Sequence, residues 1–336
     1  MKPVLCVKNL YLELRSGGQR IDALNDLSLT LHAGETLALV GESGCGKSLT
    51  ALALMGLLPQ PALRIKSGEI RFQGKDLTRL REREMQRLRG CKIAMIFQDP
   101  MSALNPVKTV GYQLMEVLIT HLRLGRAEAY QRAVALLKRV HIPDAERRMQ
   151  AYPHNLSGGM SQRVMIAMAI ACQPAVLIAD EPTTALDVTI QAQILTLLKE
   201  LQQENGMALL IITHDLGVVA AVANRVAVMY AGRKIEEAPL LSLFEHPQHP
   251  YTQGLLNATP TKGSAAQKLF DIPGRVPPLS QLPAGCSFYD RCACAQPLCR
   301  QHPPALRAFG SEHIAACFVA EQQKTTASLK RAGGGL

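Results

Sequence analysis

The chain has 336 residues, of which 47% are hydrophobic and 19% are charged, and its formal net charge is +10. This length allows one large domain, a smaller addition and a well-buried core. No run approaches the roughly 20 apolar residues that span a bilayer, and residues 1–7 lack the apolar centre of a signal peptide. The basic residues are scattered rather than clustered, which argues against a nucleic-acid partner. We expect a cytosolic or peripheral membrane protein.

Alternating apolar and polar residues with glycine breaks predict strands over residues 4–40. The strands lead into a Gly-x4-Gly-Lys-Ser stretch, the Walker A pattern, whose backbone N–H groups and lysine hold phosphate oxygens. A helix-forming stretch at residues 48–56 then directs its N-terminus towards the anion. The sequence therefore predicts a nucleoside triphosphate site formed by Gly41, Glu42, Ser43, Gly44, Cys45, Gly46, Lys47, Ser48 and Leu49.

A second predicted core strand, at residues 92–97, ends in Gln98. Residues 109–150 have the apolar spacing of amphipathic helices and form a helical insertion between two core strands. The segment LSGGMSQ at residues 156–162 then opens an apolar helix that runs to Cys172. Its Ser-Gly-Gly at a helix start predicts a second anion site.

Two carboxylates end the next apolar run, at residues 175–179, which is typical of a buried parallel strand. Asp180 is a hard oxygen ligand for the Mg²⁺ that the Walker A serine also touches. Glu181 points elsewhere and can polarise an attacking water. A helix at residues 189–204 and a strand that ends before His214 complete a βαβ alternation.

Residues 4–245 resemble the nucleotide-binding subunit of an ABC transporter, because six family motifs stand in family order. They are Walker A at Gly41–Ser48, the Q-loop at Gln98, the signature at Leu156–Gln162, Walker B at Val176–Asp180 with Glu181 following, the D-loop Ala185-Leu186-Asp187 and the switch histidine His214. The resemblance implies an α/β fold, a P-loop NTPase of ABC type. Such a fold has a RecA-like parallel-sheet core, an antiparallel β subdomain and, at about residues 100–172, a helical subdomain.

The resemblance also assigns roles to these residues. Glu181, His214 and Gln98 are expected to be catalytic, and Mg²⁺ is expected to bind through Ser48, Gln98 and Asp180. The signature residues are expected to close over ATP held by a partner subunit, in a head-to-tail dimer to which the D-loop contributes. These residues are Ser157, Gly158, Gly159 and Gln162 in the signature and Asp187 in the D-loop.

The adenine contact departs from the family pattern. The family usually places an aromatic residue near the end of the first strand, where this chain has Leu14, and the nearest aromatic is Tyr11. Either Tyr11 serves through a shifted strand or adenine stacking is weak here.

The last ninety residues resemble the C-terminal extension of the oligopeptide/dipeptide/nickel branch of ABC importers, through motifs at residues 249–252, 272–277 and 285–288. We therefore expect an ATPase domain at residues 1–245, an extension at 246–325 and a flexible tail at 326–336. The resemblance implies an ATP-hydrolysing subunit that powers peptide import at the cytoplasmic face of the inner membrane. Its partners would be a second ABC ATPase, two membrane permeases and an extracytoplasmic solute-binding protein.

Two other functions remain open. Import of nickel or a metal chelate is the alternative cargo, because the ATPase does not touch what is transported. A soluble ABC ATPase acting on nucleic acid is the remote alternative. Such proteins normally have a long coiled-coil insertion or two cassettes, and this chain has neither.

Five of the nine cysteines fall within residues 286–317. In a cytosolic chain such a group indicates a metal site rather than disulfides. Four thiolates suit either Zn²⁺ or an iron–sulfur cluster, and the absence of a Cys-x2-Cys pair makes a zinc ribbon less fitting. The resemblance favours a [4Fe–4S] cluster, with Zn²⁺ as the alternative and Cys294 as a bystander. The expected ligands are Cys286, Cys292, Cys299 and Cys317.

Overall fold

The computed structural model describes residues 2–184, 186–258 and 272–324. Two β-sheets organise these ranges. Their strands are β1 (Leu5–Ser16), β2 (Gln19–Leu31), β3 (Thr36–Val40), β4 (Leu63–Phe72), β5 (Lys75–Asp76), β6 (Ile93–Ile96), β7 (Val176–Asp180), β8 (Ala208–Thr213), β9 (Arg225–Tyr230), β10 (Arg233–Pro239), β11 (Arg307–Gly310) and β12 (His313–Ala315).

Helices cover the larger sheet and fill the insertion between β6 and β7. They are α1 (Lys47–Met55), α2 (Glu82–Leu88), α3 (Pro100–Ala103), α4 (Val110–Leu122), α5 (Arg126–Arg139), α6 (Ala145–Arg148), α7 (Gly158–Ile170), α8 (Val188–Asn205), α9 (Leu216–Val222), α10 (Leu240–Glu245), α11 (Pro250–Asn257) and α12 (Pro297–Gln301). Within the described ranges, no helix is both long and apolar enough to cross a bilayer.

The larger sheet has the strand order β11-β12-β10-β9-β3-β8-β7-β6. Its five strands from β9 to β6 are parallel, and every residue of β3, β7 and β8 is buried. Parallel strands covered on both faces read as continuous apolar runs, which is why the sequence predicted them. The carboxyl ends of β3, β7 and β8 meet at one edge of the sheet, and the predicted motifs follow these three ends.

The smaller sheet is antiparallel, with the order β2-β1-β4-β5. Leucines of β1 and β2 face inward and pack in one hydrophobic cluster with residues of β3 and α1, so this sheet covers one face of the phosphate-binding region. Alternation of buried and exposed residues along both strands is typical of a sheet with one solvated face.

The helical insertion runs from α3 to α7, residues 100–170, close to the predicted 100–172. Val110, Leu114 and Leu118 recur at helical spacing in α4 and belong to the same buried cluster as Ala133 and Leu137 of α5. The predicted fold class is confirmed: a parallel core, an antiparallel β subdomain and a helical subdomain are all present.

The C-terminal extension adds an edge to the larger sheet, which the sequence did not predict. Strand β12 pairs with β10, and β11 pairs with β12. Glu236 of β10 is fully buried and accepts hydrogen bonds from the backbone N–H groups of Gln248 and His249, at 2.7 and 2.9 Å. The ring of His313 in β12 also contacts this carboxylate, at 2.8 Å. Glu236 therefore joins three segments that are distant in sequence.

Replacing Glu236 with alanine should lower the free energy of unfolding by about 3–5 kcal/mol, because the change leaves buried donors without an acceptor. Urea unfolding followed by circular dichroism measures the effect. The exposed Glu245 provides a matched control, whose alanine variant should stay within about 0.5 kcal/mol of the parent. Equal stability of the two variants would show that Glu236 does not hold the extension.

Candidate nucleotide-binding site

The phosphate loop lies between β3 and α1. Gly41 has φ +154°, and a Cβ there would lie 2.3 Å from the carbonyl oxygen of Met229, so only glycine fits. Lys47 is buried, and its ammonium donates hydrogen bonds to the carbonyl oxygens of Gly41 and Glu42, at 2.7 and 3.0 Å. The loop thus folds around its own lysine, which is also the first residue of α1.

Ser48 and Asp180 form the oxygen pair that the sequence predicted for Mg²⁺. The Ser48 hydroxyl donates to a carboxylate oxygen of Asp180 at 3.2 Å. Burial raises the pKa of Asp180 above its usual value, although the hydrogen bond from Ser48 acts in the opposite direction. Hydroxyl and carboxylate oxygens are the ligands that Mg²⁺ prefers, so this pair fits the ion.

Glu181 contacts the other two residues that were predicted to be catalytic, Gln98 and His214. Its carboxylate accepts from the Gln98 amide at 3.1 Å and lies 3.2 Å from Nδ1 of His214. The Thr184 hydroxyl, which the sequence analysis missed, donates to it at 2.8 Å. Gln98 therefore contacts the carboxylate of Glu181, whereas the sequence analysis also expected it at Mg²⁺.

Glu181 also has an unusual backbone and a shifted pKa. Its φ of +46° lies in the left-handed region, which is uncommon for a residue other than glycine and is associated with functional sites. Burial pushes the pKa of Glu181 upward, but the hydrogen bonds from Thr184 and His214 outweigh it and lower the pKa below its usual value. Glu181 is therefore ionised at neutral pH.

The signature segment lies apart from this loop. Ser157 is the N-cap of α7, its hydroxyl accepts from the Met160 N–H at 3.3 Å, and Ser157 and Gly158 are exposed. No hydrogen bond in the described ranges joins Ser157, Gly158 or Gly159 to the phosphate loop. Gln162, in contrast, is buried, and its side-chain nitrogen has no hydrogen-bond partner among the described residues.

The D-loop and the expected adenine contact show fewer interactions in the structure. Asp187 caps α8 and accepts from the Ile190 N–H at 2.9 Å, while Ala185 lies outside the described residues. Leu14 is half-buried against the core of the smaller sheet, and Tyr11, also half-buried, lies opposite Ser67 in β4. The choice between Leu14 and Tyr11 at adenine stays open.

The four predicted cysteine ligands line one small enclosed cavity, next to Phe288 and Pro304. Burial raises the pKa of Cys286 and of Cys292 to about 11. Cys294 is exposed and lies outside this cavity. Across residues 2–184, 186–258 and 272–324, no three His, Cys, Asp or Glu side chains are spaced to hold a metal ion as they stand. The structure therefore groups the thiols without arranging them as ligands.

Two residues that the sequence analysis did not assign to the site contact the phosphate loop from the C-terminal side. Arg291 forms an ion pair with Glu42 at 3.0 Å, and the hydroxyl of Tyr251 accepts from the Glu42 N–H at 2.8 Å. Tyr251 belongs to a motif that the sequence analysis quoted, and Arg291 directly precedes Cys292. No local signal connects either residue with a loop more than 200 positions away.

Comparison with known protein families identifies the family to which the chain belongs. The profile of the family described as "ABC transporter" matches residues 24–184, and that of "Oligopeptide/dipeptide transporter, C-terminal region" matches residues 235–299. The oligopeptide transport ATP-binding protein OppD of Salmonella typhimurium is 52% identical over 94% of this chain and 93% of its own length. The chain belongs to the ATP-binding subunits of ABC transporters. The family predicted from the sequence is confirmed.

Further relatives agree with this assignment. The dipeptide transport ATP-binding protein DppD of Bacillus subtilis is 47% identical over 98% of both chains. Among solved structures, the dimeric post-hydrolysis state of the ATP-binding cassette MJ0796, bound to ADP and Pi, is 30% identical with a TM-score of 0.64. The structural match spans 70% of this chain and 98% of the chain of that cassette.

Proposed function

We propose that this chain is the ATP-hydrolysing subunit of an importer of dipeptides or oligopeptides. The observation that carries the proposal is the convergence of Gln98 and His214 on Glu181, beside the Ser48–Asp180 pair. The names of relatives at 47–52% identity, which refer to oligopeptide and dipeptide transport, supply the cargo class. They favour peptides over nickel or a metal chelate, and they give no support to a soluble ATPase on nucleic acid.

The site residues divide the work of phosphoryl transfer to water. Ser48 and Asp180 would hold Mg²⁺, which neutralises phosphate charge when it is bound. Lys47 would exchange its two loop carbonyls for phosphate oxygens. Glu181, ionised and held from three sides, would orient the attacking water and accept its proton. His214, more than half exposed, would contact the γ-phosphate and lose that contact after hydrolysis.

Replacing Glu181 with glutamine should nearly abolish ATP turnover while ATP and Mg²⁺ still bind, because only the proton-accepting carboxylate is removed. Steady-state hydrolysis by the assembled transporter and equilibrium ATP binding measure the two effects separately. Lys47→Ala is the contrasting variant and should weaken binding itself. Hydrolysis at the parent rate by Glu181→Gln would show that this role is wrong.

We further propose that two ATPase subunits act head to tail, with this chain paired to a related but distinct subunit. Support comes from the exposed N-cap Ser157, which has no contact with the chain's own phosphate loop, and from the dimeric state of the similar cassette. In this arrangement Ser157, Gly158 and Gly159 bind the γ-phosphate of ATP on the partner. The D-loop residue Asp187 would lie at the same interface.

The helical subdomain would contact the membrane permeases. A cleft between α4 and α5 is lined largely by apolar surface, including Tyr112, Met115, Ile119 and Tyr130. Tyr112, Ile119 and Tyr130 are exposed, and exposed apolar patches of this kind mark interaction sites. We therefore place the chain at the cytoplasmic face of the membrane, with two permeases and an extracytoplasmic solute-binding protein as partners.

Replacing Ser157 with arginine should stop hydrolysis by the assembled complex yet leave ATP affinity of the isolated chain unchanged. The reason is that the bulky charge blocks a site on the partner and lies away from the chain's own loop. Hydrolysis of the complex and fluorescence titration of the isolated full chain with an ATP analogue give the two readouts. Equal loss of affinity in the isolated chain would contradict the head-to-tail arrangement.

For the cysteine cavity we propose a [4Fe–4S] cluster, with Zn²⁺ as the alternative. The donor set fits, since Cys286, Cys292, Cys299 and Cys317 line one cavity and four thiolates ligate such clusters. A bound cluster would replace the protons of these buried thiols and stabilise the proline-rich extension. Its role here is structural, because ATP-driven transport needs no redox step.

Anaerobic purification followed by iron, sulfide and zinc analysis tests the cluster. We expect about four irons and four sulfides per chain. Cys317→Ser should lose them because it removes a cavity thiol, whereas the matched variant Cys294→Ser should retain them because Cys294 is exposed. A result of one zinc and no sulfide per chain would contradict the cluster and indicate a structural zinc site instead.

A further inference from the structure

A carboxylate stands in the phosphate loop itself. Glu42 is the second residue of the Walker A stretch, and its backbone carbonyl accepts from Lys47 at 3.0 Å. A negative side chain at this position would repel the phosphates of a nucleotide held by the same loop. Its charge therefore needs a compensating partner, and the structure shows where the partner comes from.

Arg291 of the C-terminal extension supplies that partner. One of its terminal nitrogens donates to both carboxylate oxygens of Glu42 at 3.0 Å, and only 7% of the arginine side chain is exposed. Its Nε donates to the carbonyl of Pro273 at 2.9 Å, which fixes the guanidinium plane. A buried arginine with this geometry is held in one position rather than sampling solvent.

Aromatic side chains hold the two ends of this contact together. Tyr230 at the end of β9, Tyr251 of α11 and Phe288 of the extension pack edge to face, with ring centroids 4.8 to 5.4 Å apart. Tyr230 also lies 3.4 Å from Arg291 through its hydroxyl, and Tyr251 accepts from the Glu42 N–H. The second residue of the phosphate loop is thus held by its backbone and its side chain.

We propose that Arg291 is a positioning residue of the ATP site, which neutralises Glu42 and thereby makes the C-terminal extension part of the nucleotide-binding machinery. The proposal rests on the proposed phosphate-binding role of residues 41–48. It requires no bound metal, since every contact is made by residues of this chain. Without Arg291 the Glu42 carboxylate is an uncompensated negative charge on the phosphate loop, and nucleotide affinity falls.

The test is equilibrium binding of Mg²⁺ and the slowly hydrolysed analogue ATPγS to the full-length chain. Arg291→Gln should weaken binding about tenfold, because one uncompensated negative charge remains on the loop that holds the triphosphate. The double variant Glu42→Gln/Arg291→Gln should return to within about threefold of the parent, since it removes both charges. Glu42→Gln alone should bind more tightly than the parent, because the positive charge of Arg291 is then uncompensated near the loop, and this variant covers the case in which Arg291→Gln does not fold.

Arg225→Gln is the matched control, because Arg225 is also largely buried and paired with carboxylates, but away from the loop. It should lower the unfolding temperature and leave ATPγS affinity unchanged. The proposal is overturned if Arg291→Gln binds like the parent, if the double variant binds no better than Arg291→Gln, or if Glu42→Gln loses affinity tenfold. Failure of the parent chain itself to bind ATPγS would instead reject the phosphate site.

Discussion

The site depends on one geometric constraint, that the carboxyl ends of parallel strands meet at a single edge of a sheet. Strands β3, β8 and β7 are neighbours in this order, although β3 lies more than 130 positions before the other two in sequence. The phosphate loop follows β3, His214 follows β8, and Asp180 and Glu181 stand at the end of β7. Register between the strands therefore sets the spacing of the groups that we propose act on the same phosphates.

Burial of these strands stabilises the arrangement and also makes it recognisable in the sequence. Strands enclosed on both faces must be apolar throughout, so each polar residue that ends such a run stands out in the sequence. This is why Asp180, Glu181 and His214 stand out in the sequence, and the structure places Glu181 within 3.2 Å of His214. Glu181 adds a feature that no sequence pattern carries, a left-handed backbone, and its carboxylate is held by hydrogen bonds from Thr184, Gln98 and His214.

The C-terminal extension was predicted less well, for a physical reason. Its strands β11 and β12 are short. β12 pairs with β10, about 80 residues earlier, and β11 pairs with β12, so both gain their stability from pairing rather than from local propensity. The density of cysteines indicated a group and the family resemblance selected four of them, but the distances between thiols depend on how the chain folds around them. The contact of Arg291 with Glu42 spans 249 positions, and no local sequence pattern around either residue predicts it.

The Arg291 contact with the phosphate loop and the cysteine cavity of the extension meet at one turn. Arg291 and Cys292 are consecutive, so the residue that holds the phosphate loop and a thiol of the cysteine cavity share one peptide bond. Phe288 lies at the same turn, contacts the ring of Tyr251 and also lines the cavity. Because these groups are packed rather than tethered loosely, order in the cavity and the position of the Arg291 guanidinium cannot vary independently. Under the role proposed for Arg291, folding of the extension would therefore affect the shape of the ATP site.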